Sequence, residues 1–311
     1  MICRKGVPDA CEIPDRQIPS RLPNACAIID VPQITSLCNY LFAQEEYFGR
    51  KIMARFRELK SRLAAICASP DWREQLEASL GADIALKEAV NPLLALLPRP
   101  EFRLRAAFGL GVAVSRLAGS DMEAARVIMR RLMWSLNEES GNLGWGVPEA
   151  MGAVVSMSPA LAREYARIFL SYGYETGKDD NFLDHAPLRR GVYQGAAMLA
   201  RADYASARPL LPHLEKALAD EDALVRASAG LALRELAGAA PASEFSGPAA
   251  APWEAALQAV TAARAGNANG EPLEFLDNGV VVILAGSEVL AQAEEAVSRR
   301  LKEDASGGQR G

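Results

Sequence analysis

Aromatic side chains are scarce, at 6% of 311 residues. Set against 56 alanines, that scarcity favours closely packed helices over a sandwich of β-branched and aromatic strands. Arginine outnumbers lysine 27 to 7. A GC-rich genome produces the same excess of alanine and arginine, so the case for helices has to come from periodicity. A basic excess is missing too: the net charge of −5 and pI near 5.4 argue against a dedicated nucleic-acid binder. Long apolar runs are absent. The longest uncharged stretch, Val31 to Gln44, has 14 residues and contains Pro32, short of the roughly 20 that a membrane span needs. The N-terminus lacks a continuous apolar segment of the signal-peptide kind, so the expected location is the cytoplasm, with no membrane partner.

The residues of common catalytic motifs are equally thin. His185 and His213 are the only histidines, and HExxH, GxSxG and GxxxxGK[ST] do not occur. Gly141, Gly144 and Gly146 lie between helical segments and not after a strand, which removes the dinucleotide-binding reading. His213, within PLLPHLEK, reads as a structural residue of its helix. No catalytic residue, cofactor or metal site is expected. Of five cysteines, Cys3, Cys11, Cys26 and Cys38 precede residue 50 and only Cys67 follows. Their gaps fit neither a zinc knuckle nor a redox pair, and nothing indicates export to an oxidising compartment.

Those cysteines also mark a boundary. The first 50 residues hold six of twelve isoleucines but four of 56 alanines, together with Pro8, Pro14, Pro19, Pro23 and Pro32. From Met53 the character changes to MARFRELKSRLAAICAS, an amphipathic helix of the same composition as everything downstream. Two readings stand: Met53 is the true start and residues 1–52 are translated upstream sequence, or 1–52 is a short natural extension.

Downstream the chain repeats. In RPLLPHLEKALADEDALVRASAGLALREL a first helix runs to about Ala219, an acidic turn follows, and a second helix starts near Asp222. Steps of three and four put Val225, Ala229, Ala232, Leu233 and Leu236 on one face. Asp222 is placed to cap the helix, and Ala229 and Ala232 allow a neighbouring helix close approach. The same register recurs around Arg105, Arg189 and, in a divergent copy, Glu149; with Arg226 the spacings are 44, 40 and 37 residues. Each unit has a plausible first helix, roughly 84–97, 121–136, 159–172 and 206–219, with residues 54–80 as an N-terminal cap. The spacing Asp-x-x-Val-Arg-x-x-Ala-x-x-Ala-Leu resembles the second helix of a HEAT repeat, and a period near 40 with two helices is that of HEAT and armadillo arrays. The stretch from Asn137 to Ala150 followed by LRRGVxxG looks like an uncharacterised bacterial subgroup of HEAT-repeat proteins. The expected fold is therefore all-α: an α-solenoid of HEAT-like helical hairpins over residues 53–237. Glu149 in place of arginine, and glycine in place of alanine at 111 and 195, depart from the pattern.

After Leu236 the period stops. Residues 238–252, rich in Ala, Ser, Gly and Pro, read as a linker. Residues 253–303 read as a small α+β appendage: a helix, two β-type runs around Asn278-Gly279, and a closing helix capped at Ser287. Residues 304–311 read as a disordered tail.

Two expanded loops interrupt the repeats. Residues 135–150 carry Asn137, Glu138, Glu139, Trp145 and Glu149; residues 179–195 carry Asp184, His185, Arg189, Arg190 and Tyr193. They hold the same inter-helix position in consecutive units and so should lie side by side on one ridge. The ridge is either a recognition site or cement, in which Glu149 pairs with Arg189 or Arg190 of the next unit and Trp145 fills a gap. Resemblance to HEAT-repeat proteins implies partner binding without naming a reaction. The leading expectation is a non-enzymatic adaptor or assembly scaffold gripping a protein partner along its concave helices. The alternative is an enzyme on a HEAT-like frame, such as an alkylated-base DNA glycosylase or a bilin lyase-type protein. A glycosylase needs a basic groove and a carboxylate near an aromatic, which Trp145 with Glu149 or Asp184 could supply. Oligomeric state is not legible.

Overall fold

The structure is a computed structural model that describes residues 51–137, 144–177, 181–266 and 271–307. All of these but Lys51 belong to one unit, Ile52–Gly311. Residues 51–68 are helical (α1), so the helix expected from Met53 is already formed before it, and the readings of residues 1–50 lie outside the described residues. Helices α2 (Trp72–Ser79), α3 (Leu86–Leu94), α4 (Arg103–Ser120), α5 (Met122–Leu136), α6 (Val147–Met157), α7 (Pro159–Ser171) and α8 (Ala186–Ala202) follow. Then come α9 (Tyr204–Ala207), a 3₁₀ segment (Arg208–His213), α10 (Leu214–Leu218), α11 (Ala223–Ala239) and α12 (Ala251–Ala265). Two strands, β1 (Pro272–Asp277) and β2 (Val280–Ala285), and a final helix α13 (Gly286–Gly307) close the chain. Among the described residues the protein is predominantly helical, with one two-stranded antiparallel sheet. No helix of the described residues is long and apolar enough to cross a membrane.

Burial divides the helices into two kinds. Helices α4, α6, α8 and α11 bury most of their circumference, whereas α5 buries only the stripe Ala125, Met129 and Leu132. A helix apolar all round needs neighbours on several sides, and these have them: α4 packs on α6, α6 on α8, α8 on α11 and α11 on α13. Ala229 and Ala232 are fully buried, as their spacing predicts. Glycine permits the tightest of these contacts. A Cβ on Gly152 of α6 would overlap the Cα of Gly195 in α8, so the two backbones touch where the repeat pattern departs from alanine.

Each of α4, α6 and α8 passes to the next helix through a single residue: Asp121, Ser158 or Asp203. Its φ is −149°, −127° or −151°, which reverses the chain, and its side chain caps the following helix by accepting from the amide of Ala124, Leu161 or Ser206. The helix expected over 206–219 is interrupted. Pro209 and Pro212 lack the amide hydrogens a continuous α-helix requires, and the chain takes a 3₁₀ path between α9 and α10.

The segment expected as a linker is folded. Residues Ala242–Phe245 and Gly247–Ala250 form 3₁₀ turns, buried Phe245 lies 4.6 Å from Trp253 between ring centres, and Arg208 pairs with Glu244 at 2.9 Å. Helix α13 continues to Gly307, past the expected end at 303; residues 308–311 lie outside the described residues.

The hairpin forms where expected, turning through Asn278 (φ 50°) and Gly279 (φ 74°). Its docking is wider than an appendage held by flanking helices. β2 packs on α13, while β1 lies on α8 and α11. Gln194 of α8 donates to the Glu274 carbonyl at 3.1 Å, and Asp277 accepts from Arg201 at 2.9 Å. At the tip, Arg73 of α2 donates to the Asn278 carbonyl at 2.6 Å.

Candidate functional site

Trp145 stands just ahead of α6 and His185 just ahead of α8, so the two loops bring their rings together. The centroids are 5.1 Å apart in an edge-on arrangement. Trp145 is half-buried and His185 exposed, as are Asp184 and Asn137, which ends α5. Glu138 and Glu139 lie outside the described residues. Arg103 of α4, which sequence reasoning did not name, completes the cluster: its guanidinium is 5.8 Å from the Trp145 ring centre. Its Nε donates to the Leu97 carbonyl at 3.4 Å.

Glu149 is not at the surface. It is the third residue of α6, 6% exposed, and its Oε2 has no hydrogen-bond partner among the described residues. The carboxylate lies against Gly191 of α8, where any Cβ would overlap it. Burial pushes its carboxyl above the usual carboxylate range; its own backbone amide and then Arg103 pull the other way.

The expected pairing of Glu149 with Arg189 or Arg190 does not form. Both arginines reach forward to the acidic turn ahead of α11. Arg189, 8% exposed, donates through Nη1 to the carbonyls of Leu183 (2.9 Å) and Asp184 (2.6 Å), and through Nη2 to Asp220 at 2.8 Å. Arg190 grips both oxygens of Asp222, which also caps α11 through the Val225 amide. The cause is geometric: the turn before α11 offers two carboxylates, Asp220 and Asp222, while Glu149 is enclosed beside Gly191. Arg226 bonds in the same way, donating to the carbonyls of Asp220 and Glu221, six and five residues before it. Arg189 uses the same two offsets.

A pH-dependent result follows for Glu149. A carboxyl whose folded-state pKa is raised stabilises the fold below its ordinary titration range, and that contribution is lost as pH rises through the raised value. Glu149→Gln keeps the shape of the protonated acid without a charge to bury. It should melt like the wild type near pH 4, and at pH 8 gain about 1–3 kcal/mol. Thermal melts across that range check this, and a difference independent of pH would contradict it.

His213 stacks flat on Tyr174, centroids 3.7 Å apart, with burial lowering its pKa. Among the described residues no group of three His, Cys, Asp or Glu side chains could hold a metal ion.

No protein-family model matches this chain, and no curated protein sequence does. Among solved structures, the crystal structure of an engineered protein is similar over 78% of this chain and 97% of its own, at 14% identity and a TM-score of 0.42. A likeness of that degree carries nothing for fold or function.

Sequence reasoning missed Trp134, which is 73% exposed on α5. Its signal was one of phase. With Ala125, Met129 and Leu132 facing inward, Trp134 falls on the opposite, solvent side of the same helix.

Proposed function

We propose that residues 53–237 form a HEAT-like α-solenoid and that the protein is a non-enzymatic adaptor or assembly scaffold binding a protein partner. The solenoid reading is supported by the shared bonding of Arg189 and Arg226 and by the three single-residue junctions. The observation that carries the adaptor reading is the Trp145–His185 pair. It leaves an aromatic anchor at the surface beside exposed Asp184, while Glu149, Arg189 and Arg190 behind it are buried or bonded internally. Aromatic anchors of this kind dominate protein interfaces. The glycosylase alternative needs cations free to meet phosphates. Around the inner helices, Arg73, Arg201 and Arg234 are held by Asn278, Glu235, Asp277 and Gln292, which favours the adaptor.

The test uses exposed positions, so that folding and binding separate. Asp184→Lys combined with His185→Ala should abolish recovery of the native partner from lysate and leave the melting temperature unchanged. Undiminished recovery would remove the ridge from the binding site.

A further inference from the structure

The outward faces of α5 and α7 form a surface that the ridge does not include. On α5, Val127 and Trp134 are 53% and 73% exposed. Seven residues separate them, two helical turns or about 10 Å along one stripe. Helix α7 lies alongside, joined by a bidentate pair: Arg126 donates to both carboxylate oxygens of Glu164, at 2.9 and 2.7 Å. The two helices carry Arg126, Arg130, Arg131, Arg163 and Arg167 against Glu123 and Glu164, a local excess of three positive charges on a chain of net charge −5. The two glutamates are already engaged, Glu123 by Arg130 at 2.6 Å and Glu164 by Arg126. Arg163 and Arg167 are exposed and make no hydrogen bond to another described residue.

Trp134 buries little of its indole against the described residues. A lysine there would keep the helix and cost the core nothing, yet the position holds an indole, and tryptophan and arginine are the side chains that most often anchor interfaces. We propose that this face docks an acidic amphipathic segment of a partner protein. Leucine or phenylalanine side chains of the segment cover Val127 and Trp134, and its carboxylates meet Arg163 and Arg167, whose planar guanidinium groups suit bidentate carboxylate pairing. Charge complementarity selects this occupant, because the face is basic on an otherwise acidic chain. Glu123 and Glu164, interleaved with the arginines, oppose a phosphate backbone. Two apolar side chains give a bilayer too little to bury. The proposal rests on the adaptor reading and gives its partner a second, chemically defined contact.

The full-length protein is titrated with a fluorescein-labelled peptide that has leucines at helical spacing and glutamates on the flanks. Saturable binding is expected, weakened by salt and accompanied by a blue shift of tryptophan emission. Trp134→Ala, and separately Arg163→Glu with Arg167→Glu, should lower the affinity at least tenfold without moving the melting temperature. Equal affinity in these variants, or equal binding of a peptide with lysine in place of glutamate, would overturn the proposal. So would binding of phosphatidylserine vesicles or duplex DNA through Trp134 when the glutamate peptide fails to bind. The Asp184 and His185 variants touch neither helix and should leave peptide binding intact. The adaptor reading therefore stands or falls on partner recovery alone, and this surface on the peptide.

Discussion

Gly152→Ala should destabilise the protein by about 3 kcal/mol or more, at or beyond the top of the usual range for overpacking. The added methyl would meet the Cα of Gly195, and backbone cannot rotate away as a side chain can. Relief requires α6 and α8 to separate, which opens contacts along both helices. Gly119→Ala, near the end of α4, supplies the opposite sign. Nothing lies within 4 Å of a Cβ there, and the residue is helical and exposed. Removing backbone freedom from the unfolded chain should then stabilise by about 0.4–1 kcal/mol. Urea unfolding of the two variants gives both values. A Gly152→Ala protein as stable as the wild type would mean that α6 and α8 do not cross at these glycines.

The second large effect belongs to Arg189. Arg189→Met preserves much of the side chain's length while removing every donor. It leaves Asp220 with only the Asp222 amide to accept from, and the Leu183 and Asp184 carbonyls without that partner. Removing one member of a buried ion pair costs roughly 3–5 kcal/mol, and a loss near the lower end is expected because both side chains keep a little solvent contact. Arg190→Met should lose less, about 1 kcal/mol, since its pair with Asp222 is about a quarter exposed. Denaturant midpoints measured on both variants in parallel check the order. An Arg190 loss exceeding that of Arg189 would contradict it.

What the sequence disclosed and what it concealed divide along one line, the range of the interaction. Helices α4, α6, α8 and α11 were visible because their apolar positions recur every three or four residues. The turn at Asn278-Gly279 was visible because only such residues accept positive φ twice in succession. The ridge was partly legible: the loops did bring Trp145 and His185 together. The partners of Arg189 and Arg190 were misjudged, because periodicity places a residue on a face and does not say whether its side chain reaches forward or back. The folded state of residues 238–252 was hidden for a related reason. Two aromatics, Phe245 and Trp253, secure a stretch with no period at all. Where the hairpin lands is largely a long-range matter, set by the packing of β1 on α8 and α11 and by bonds from Gln194, Arg201 and Arg73.

Those bonds have a consequence for how the chain could lengthen. The hairpin tip holds Arg73 from a position 205 residues away, while the strands behind it rest on α8, α11 and α13. An array whose units touch only their neighbours can gain or lose one and remain sound, since each addition concerns one junction. Here the first helices and the last are clasped. One further helical pair inserted between α4 and α8 would move α2 away from the tip by about 8–10 Å, a helix-packing distance, too far for one guanidinium to span. Such an insertion would break the clasp at once. The hairpin acts as a gauge that fixes how many helices fit between α2 and α8.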